Sequence, residues 1–133
     1  MTLETPGQPR LLWGFFCDYF LIDISGKHSY IGVFEQIAAR AFPAEHKIMH
    51  VVWALQGRPG GQTHGLLTLW SPDNEIILST DEAPVQFNEE GRALVVNALY
   101  GVRLPRPGRY TAVLELDRRP ASELPLTVIE LRG

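Results

Sequence analysis

Residues 11–37 read LLWGFFCDYFLIDISGKHSYIGVFEQI, and no other stretch of the chain is as dense in strand-forming residues. Aromatic and β-branched side chains favour extended backbone, so this stretch predicts two long β-strands. Ser25, Gly26 and Lys27 separate the strands, and glycine supplies the positive φ angle that a tight hairpin turn requires. A helix is the alternative interpretation. Gly14, the many β-branched residues and the lack of an N-terminal capping residue disfavour it.

The first of these strands carries apolar residues at both alternating sets of positions. Trp13 and Phe15 occupy one set, and Phe16 occupies the other. Because successive side chains of a strand point to opposite faces, such a strand has two alternatives. Either it is covered on both faces, or it bends from one sheet toward another near Gly14 or Asp18.

The rest of the chain consists of short apolar stretches separated by clusters of Gly, Pro, Asn, Asp and Ser, as in strands joined by turns. The pattern predicts an all-β protein, an antiparallel β-sandwich of about seven or eight strands with immunoglobulin-like or related Greek-key topology. The further strands are predicted at residues 47–56, 64–70, 75–79, 85–87 (a brief edge piece), 93–104, 109–117 and 123–131.

The sequence also predicts the type of several connections between the strands. Residues 71–74 match a type I turn, residues 118–122 are predicted as a loop, and Pro125 places the last strand at a sheet edge. Gly108 and Tyr110 lie in a Pro-Gly-Arg-Tyr segment at the start of the penultimate strand. In sandwiches a tyrosine at such a corner ties its hydroxyl to loop backbone. We therefore expect structural roles for Gly26, Gly108 and Tyr110.

Length and composition indicate one domain. The chain has 133 residues, of which 45% are hydrophobic and 20% are charged, as in ordinary globular proteins. Residues 1–10 contain Pro6, Gly7 and Pro9 and no periodicity, so they are predicted to be a flexible N-terminal arm. Residues 11–133 are predicted to form a single β-sandwich domain.

Charge and cysteine content limit the partners and the compartment. The formal net charge of −3 gives no electrostatic reason to bind nucleic acid or an anionic membrane. No apolar run reaches the roughly 20 residues of a membrane-spanning helix, and residues 11–16 lack the features of a signal peptide. Cys17 is the only cysteine, so no intramolecular disulfide can form. We expect a cytoplasmic protein without nucleic-acid or membrane partners.

Few residues suggest chemistry. His46 and His50 have helical i,i+4 spacing, but they fall in or beside a predicted strand, where that spacing does not make a metal site. Cys17 lies among aromatic residues, which favours a buried structural thiol over a nucleophile. A bulge at Asp18 and a hairpin cap at Asp23 are favoured over a catalytic pair of the two carboxylates. We predict no catalytic, cofactor-binding or metal-binding residue.

Four residues are predicted as possible contacts for a ligand or partner. Trp53 and Trp70 invite a sugar-binding role, since an exposed indole can stack on a pyranose ring, although tryptophan in a strand is more often core. Asp18 is a carboxylate within an apolar strand, and His50 lies in the strand that also holds Trp53.

Five segments together resemble a bacterial family of small all-β domains of unknown function. They are Cys-Asp-Tyr at residues 17–19, Asp-x-x-Gly-Lys at 23–27, Gly-Val-Phe at 32–34, Phe-Pro at 42–43 and Pro-Gly-x-Tyr at 107–110. The resemblance spans nearly the whole chain and implies the sandwich fold. It implies no activity, because a fold alone does not determine function.

The leading functional hypothesis is a non-enzymatic domain that binds a protein partner or a second copy of itself as a homodimer. Sheets with open strand edges can pair with another strand. The first alternative is a carbohydrate-binding module that uses an exposed tryptophan, and the second is a metal-dependent or hydrolytic enzyme.

Overall fold

The computed structural model describes residues 9–132, which form ten β-strands. The strands are β1 (Arg10–Ile22), β2 (His28–Phe34), β3 (Gln36–Ala39), β4 (Ala44–Gln56), β5 (Gln62–Trp70), β6 (Ile76–Ser79), β7 (Ala83–Gln86), β8 (Arg92–Leu104), β9 (Gly108–Leu116) and β10 (Arg119–Glu130). Of the predicted flexible arm, only Pro9 and Arg10 are described. Arg10 opens β1 opposite Gln56 of β4, and the rest of that prediction lies outside the described residues.

The strands form two packed sheets, which confirms the predicted all-β sandwich. A four-stranded sheet has the order β2-β1-β4-β8, and a six-stranded sheet has the order β3-β10-β9-β5-β6, with β7 also paired to β5. Neighbours such as β4 and β8, or β5 and β9, are distant in sequence, as in Greek-key folds. Only the β3–β10 pair of the described strands is parallel.

The structure has ten strands rather than the predicted seven or eight, and one of the additional strands arises because the second predicted strand is divided at Glu35. There the chain leaves the four-stranded sheet, and β3 pairs with residues 127–130 of β10. Pro125 is therefore not on an edge strand, but it precedes the part of β10 that β3 covers. Within the described structure, β3 does not pair with β10 at Pro125. The missing N–H of Pro125 therefore leaves no carbonyl oxygen of β3 without a partner.

The predicted loop at residues 118–122 is wrong, because β10 begins at Arg119. Asp117 and Arg118 form the turn between β9 and β10, with φ angles of 49° and 67°. Positive φ at both central residues is the backbone of a type I′ hairpin turn, which normally selects Asn or Gly. Neither residue gives that signal in the sequence.

The core lies between the two sheets. Strand β4 contributes Met49, Val51, Trp53 and Leu55, whose side chains face the six-stranded sheet. Strand β9 alternates strictly, with every second residue buried, as its sequence predicts. The other completely buried large side chains of this core are Leu67, Leu69, Leu104, Tyr110, Leu114, Leu126 and Val102.

Tyr110 ties the loop before β9 to the core. Its hydroxyl donates a hydrogen bond of 2.7 Å to the Arg106 carbonyl oxygen and accepts one of 3.2 Å from the Arg106 N–H. Gly108 has a φ of 143°, and a Cβ atom there would lie 2.5 Å from Cγ of Pro72. Glycine is thus required where this loop meets the turn at residues 71–75.

Candidate functional site

The hairpin formed by β1 and β2 curls over the outer face of the four-stranded sheet. Tyr30 of β2 is paired with Phe20 of β1, yet its ring centroid is only 4.9 Å from that of Phe15. Five residues of straight strand would separate Phe15 from Phe20 by about 16 Å. Strand β1 must therefore bend between them and bring Tyr30 back over Phe15.

The curl covers a second buried cluster on the side of the sheet that faces away from the main core. Val52 and Cys17 are completely buried there, and Ala54 is nearly so. Phe15 lies opposite Val52 in the sheet, and Tyr30 approaches Phe15 from above. We call this group the outer cluster; its members are Trp13, Phe15, Cys17, Phe20, Tyr30, His50, Val52 and Ala54.

The bend in β1 is fixed at Asp18. The carbonyl oxygen of Asp18 is 3.0 Å from Nδ1 of His50, which must carry the hydrogen because a carbonyl only accepts. The Asp18 carboxylate lies 3.2 Å from Nε2 of His46. Gly32, across from Asp18, has a φ of 69°, and a Cβ atom at Gly32 would lie 2.6 Å from Oδ2 of Asp18.

Asp18 does not mark a bulge, so that interpretation is wrong. The β1–β2 register continues unchanged on both sides of Asp18, and the irregularity of β1 lies instead between Leu11 and Trp13. His50 is 9% exposed and bonded to the bend. Both predicted contact residues thus contribute to positioning the hairpin; His50 is nearly buried, whereas the side chain of Asp18 is 43% exposed.

Asp23 caps the hairpin turn, as the sequence suggested. Its Oδ1 atom accepts hydrogen bonds from the Ser25 hydroxyl at 2.6 Å, the Ser25 N–H at 2.8 Å and the Lys27 N–H at 2.9 Å. The bond from the Ser25 hydroxyl, followed by that from the Lys27 backbone, lowers the pKa of Asp23. Gly26 completes the turn with a φ of 86°.

Cys17 lies in the outer cluster without access to solvent. Burial raises the pKa of its thiol, and the neighbouring Asp18 charge raises it further. A thiol held in its protonated form is a poor nucleophile, so the environment favours a packing role for Cys17.

Several large apolar side chains of the curled hairpin are exposed, and three of them lie together on one face. Tyr19 and Ile31 lie opposite each other in the β1–β2 ladder and are 51% and 48% exposed. Leu21, two residues beyond Tyr19 on the same face, is 53% exposed. We call Tyr19, Leu21 and Ile31 the hairpin face. No motif in the sequence singles out these residues, and the only signal for them is the apolar occupancy of both sets of positions in β1.

Of the four histidines, His46 and His50 both contact Asp18, and the other two lie elsewhere. His28 lies beside Tyr30, His46 beside Asp18, and His64 beside Asp117, with 3.8 Å between His64 Nδ1 and Asp117 Oδ1. Within residues 9–132, no three His, Cys, Asp or Glu side chains converge as a set of metal ligands.

The two predicted tryptophan contacts have opposite environments. Trp53 is completely buried in the core, and its Nε1–H donates a 2.9 Å hydrogen bond to Asn97, so its proposed contact with a sugar is wrong. Trp70 is partly exposed on the outer face of the six-stranded sheet. It borders a depression of about 440 Å³, which we call the Trp70 depression; the lining also includes Asn74, Arg109, Thr111, Val113 and Glu123.

No helix of the described segment, residues 9–132, is long and apolar enough to cross a membrane. Among solved structures, the chain is similar to an immunoglobulin-like protein from Pseudomonas aeruginosa, with 15% identity and a TM-score of 0.46. That alignment covers 94% of this chain and 99% of the other. No curated protein matches the sequence.

A family model described as a family of unknown function, DUF6941, matches residues 12–129. The match includes all of the segments that carried the resemblance noted in the sequence, and it confirms that resemblance. The chain belongs to this family of unknown function, DUF6941.

Proposed function

We propose that this domain is a non-enzymatic interaction module that pairs with a second copy of itself through strand β2. The observation that carries the proposal is the hairpin face, in which Tyr19, Leu21 and Ile31 remain in solvent beside an open sheet edge. Contiguous exposed apolar residues on a folded protein mark interaction surfaces more often than scattered ones do.

The edge of β2 carries few of the features that prevent strands from pairing. Within the described structure, β2 pairs only with β1, so its other edge presents unpaired N–H and C=O groups. Proteins usually protect such edges with lysine, proline or inward-pointing charge. The strand, residues 28–34, contains no lysine, arginine, aspartate, glutamate or proline.

A second copy is the partner that this strand fits best. Two β2 strands related by a two-fold axis pair in antiparallel fashion, and the uncharged sequence puts no like charges opposite each other. Gly32 departs from extended backbone with its φ of 69°, so the pairing segment is residues 28–31. With Tyr30 on the two-fold axis, Ile31 of each copy lies opposite Ser29 of the other, and the two four-stranded sheets join into one.

Cytoplasmic location is part of the same proposal. The one thiol of the chain is free and buried in the outer cluster, so the fold depends on no oxidising compartment.

The test is sedimentation analysis over a wide range of protein concentration, with Ile31→Lys as the variant. We expect the wild-type chain to dimerise and the dimer dissociation constant of Ile31→Lys to rise at least about tenfold, because the dimer would bury two unpaired ammonium groups. Ile76→Lys is the matched control, since Ile76 is 53% exposed on β6 of the other sheet. A wild-type chain that stays monomeric, or a dimer weakened by Ile76→Lys and unaffected by Ile31→Lys, would overturn the proposal.

A further inference from the structure

We propose that the Trp70 depression binds an oligosaccharide of pyranose units with equatorial hydroxyls, such as β-linked glucose or N-acetylglucosamine. The site lies on the outer face of the six-stranded sheet, whereas the hairpin face belongs to the four-stranded sheet. Sugar binding is therefore independent of the proposed self-association.

The register between β5 and β9 determines which side chains line one wall of the depression. Trp70 lies opposite Thr111, and Thr68 lies opposite Val113, so all four side chains share the outer face of β5 and β9. The Trp70 Nε1–H donates a 2.9 Å hydrogen bond to the Thr68 hydroxyl. This bond directs the indole along the sheet and satisfies its only donor, so the ring offers its apolar face to a ligand.

Polar groups stand at the two ends of this apolar wall. Arg109 lies opposite Thr127, and Glu123 lies opposite Val113, which places them about four residues apart along the β9–β10 ladder. Both are exposed, and neither forms an ion pair with a described residue. Arg106 differs, because it is paired with Asp73. The guanidinium supplies donors and the carboxylate supplies acceptors, and sugar hydroxyls can use both.

The rim of the depression is held in place before any ligand arrives. The Ser71 hydroxyl accepts hydrogen bonds of 3.1 Å from the N–H groups of Asp73 and Glu75. Asn74, between them, has a φ of 64°, is exposed and lines the depression. A preorganised rim lowers the entropy that a ligand must lose on binding.

A saccharide matches an apolar indole wall with polar side chains at its ends better than a wholly apolar or a charged ligand does. A pyranose with equatorial hydroxyls has a flat C–H face that stacks on an indole and a rim of hydroxyls that reach polar side chains. The volume of about 440 Å³ is in the range of small-molecule sites. One arginine and one glutamate leave the site without a net charge, which disfavours phosphorylated ligands.

The experiment is a titration of ¹⁵N-labelled protein with cellotriose and, separately, with chitotriose, monitored by NMR. We expect the Trp70 indole N–H and the Arg109 and Glu123 backbone signals to shift, with a dissociation constant below about 10 mM. Trp70→Ala should weaken binding at least about tenfold, and Trp70→Phe should retain part of it.

The matched control is Trp13→Ala, which removes a tryptophan that is 45% exposed on the other sheet. It should leave the dissociation constant unchanged. Glu123→Gln, which is exposed and should fold normally, should also weaken binding. The proposal is overturned if neither sugar shifts the Trp70 signal at about 10 mM, or if Trp13→Ala abolishes binding while Trp70→Ala and Glu123→Gln do not. Loss of self-association in Ile31→Lys has no bearing on these outcomes.

Discussion

Trp53→Ala should lower the free energy of unfolding by about 3–5 kcal/mol, the range seen when a buried large aromatic side chain is truncated. Trp53 is completely buried in the middle of β4, between β1 and β8. Its removal leaves a cavity between the sheets and deprives Asn97 of the hydrogen bond from Nε1. Domains of this size are stable by about 5–15 kcal/mol, so the loss is a large share of the total.

Urea denaturation of the wild-type chain and of two tryptophan variants measures this effect. Trp70→Ala is the control, because Trp70 is only partly buried on an outer face, and its loss should cost no more than about 1 kcal/mol. A Trp53→Ala variant within about 1 kcal/mol of the wild type would show that Trp53 is not a core residue.

Gly32→Ala should lower the free energy of unfolding by about 2–4 kcal/mol, from two causes that add. The φ of 69° is a strained conformation for alanine, at a cost of about 1–2 kcal/mol. The added Cβ atom also lies 2.6 Å from Oδ2 of Asp18, so the bend of β1 must open. Gly26→Ala is the matched control, because Gly26 has a φ of 86° and an added Cβ atom there would meet nothing within 4 Å.

The difference between the two glycine variants isolates the contact with Asp18. We expect Gly32→Ala to cost more than Gly26→Ala, and the double variant Asp18→Gly, Gly32→Ala to recover the steric part of that excess. Equal effects of Gly32→Ala and Gly26→Ala in thermal or urea unfolding would mean that the packing of Asp18 against Gly32 does not hold the bend.

Much of the fold follows from local pattern in the sequence. Strand β9 alternates between buried and partly exposed residues as its sequence predicts. Gly26 lies in the predicted hairpin turn, and Tyr110 bonds to the loop before β9 as predicted. These features depend on the residue itself and on its near neighbours, which is why one sequence suffices to predict them. The turn at Asp117 and Arg118 was missed because tertiary pairing imposes a backbone that neither residue prefers.

The candidate sites depend on register, which the sequence leaves open. Trp53 and Trp70 both lie in alternating strands, and only the pairing of those strands shows that one faces the core and the other faces solvent. For β1, the apolar residues on both sets of positions predicted either two covered faces or a bend. The structure combines them: a bend at Asp18 covers Phe15 and exposes Tyr19.

Hydrogen exchange of the β2 backbone amides, measured at several protein concentrations, tests the proposed pairing of two β2 edges most directly. In a hairpin about half of the β2 amides point away from β1, and in a monomer these exchange with solvent freely. If two copies pair along residues 28–31, protection of these outward amides should rise with protein concentration and disappear in Ile31→Lys. Protection that is independent of concentration in β2, or that appears instead along the other edge strand, β8, would contradict the proposal.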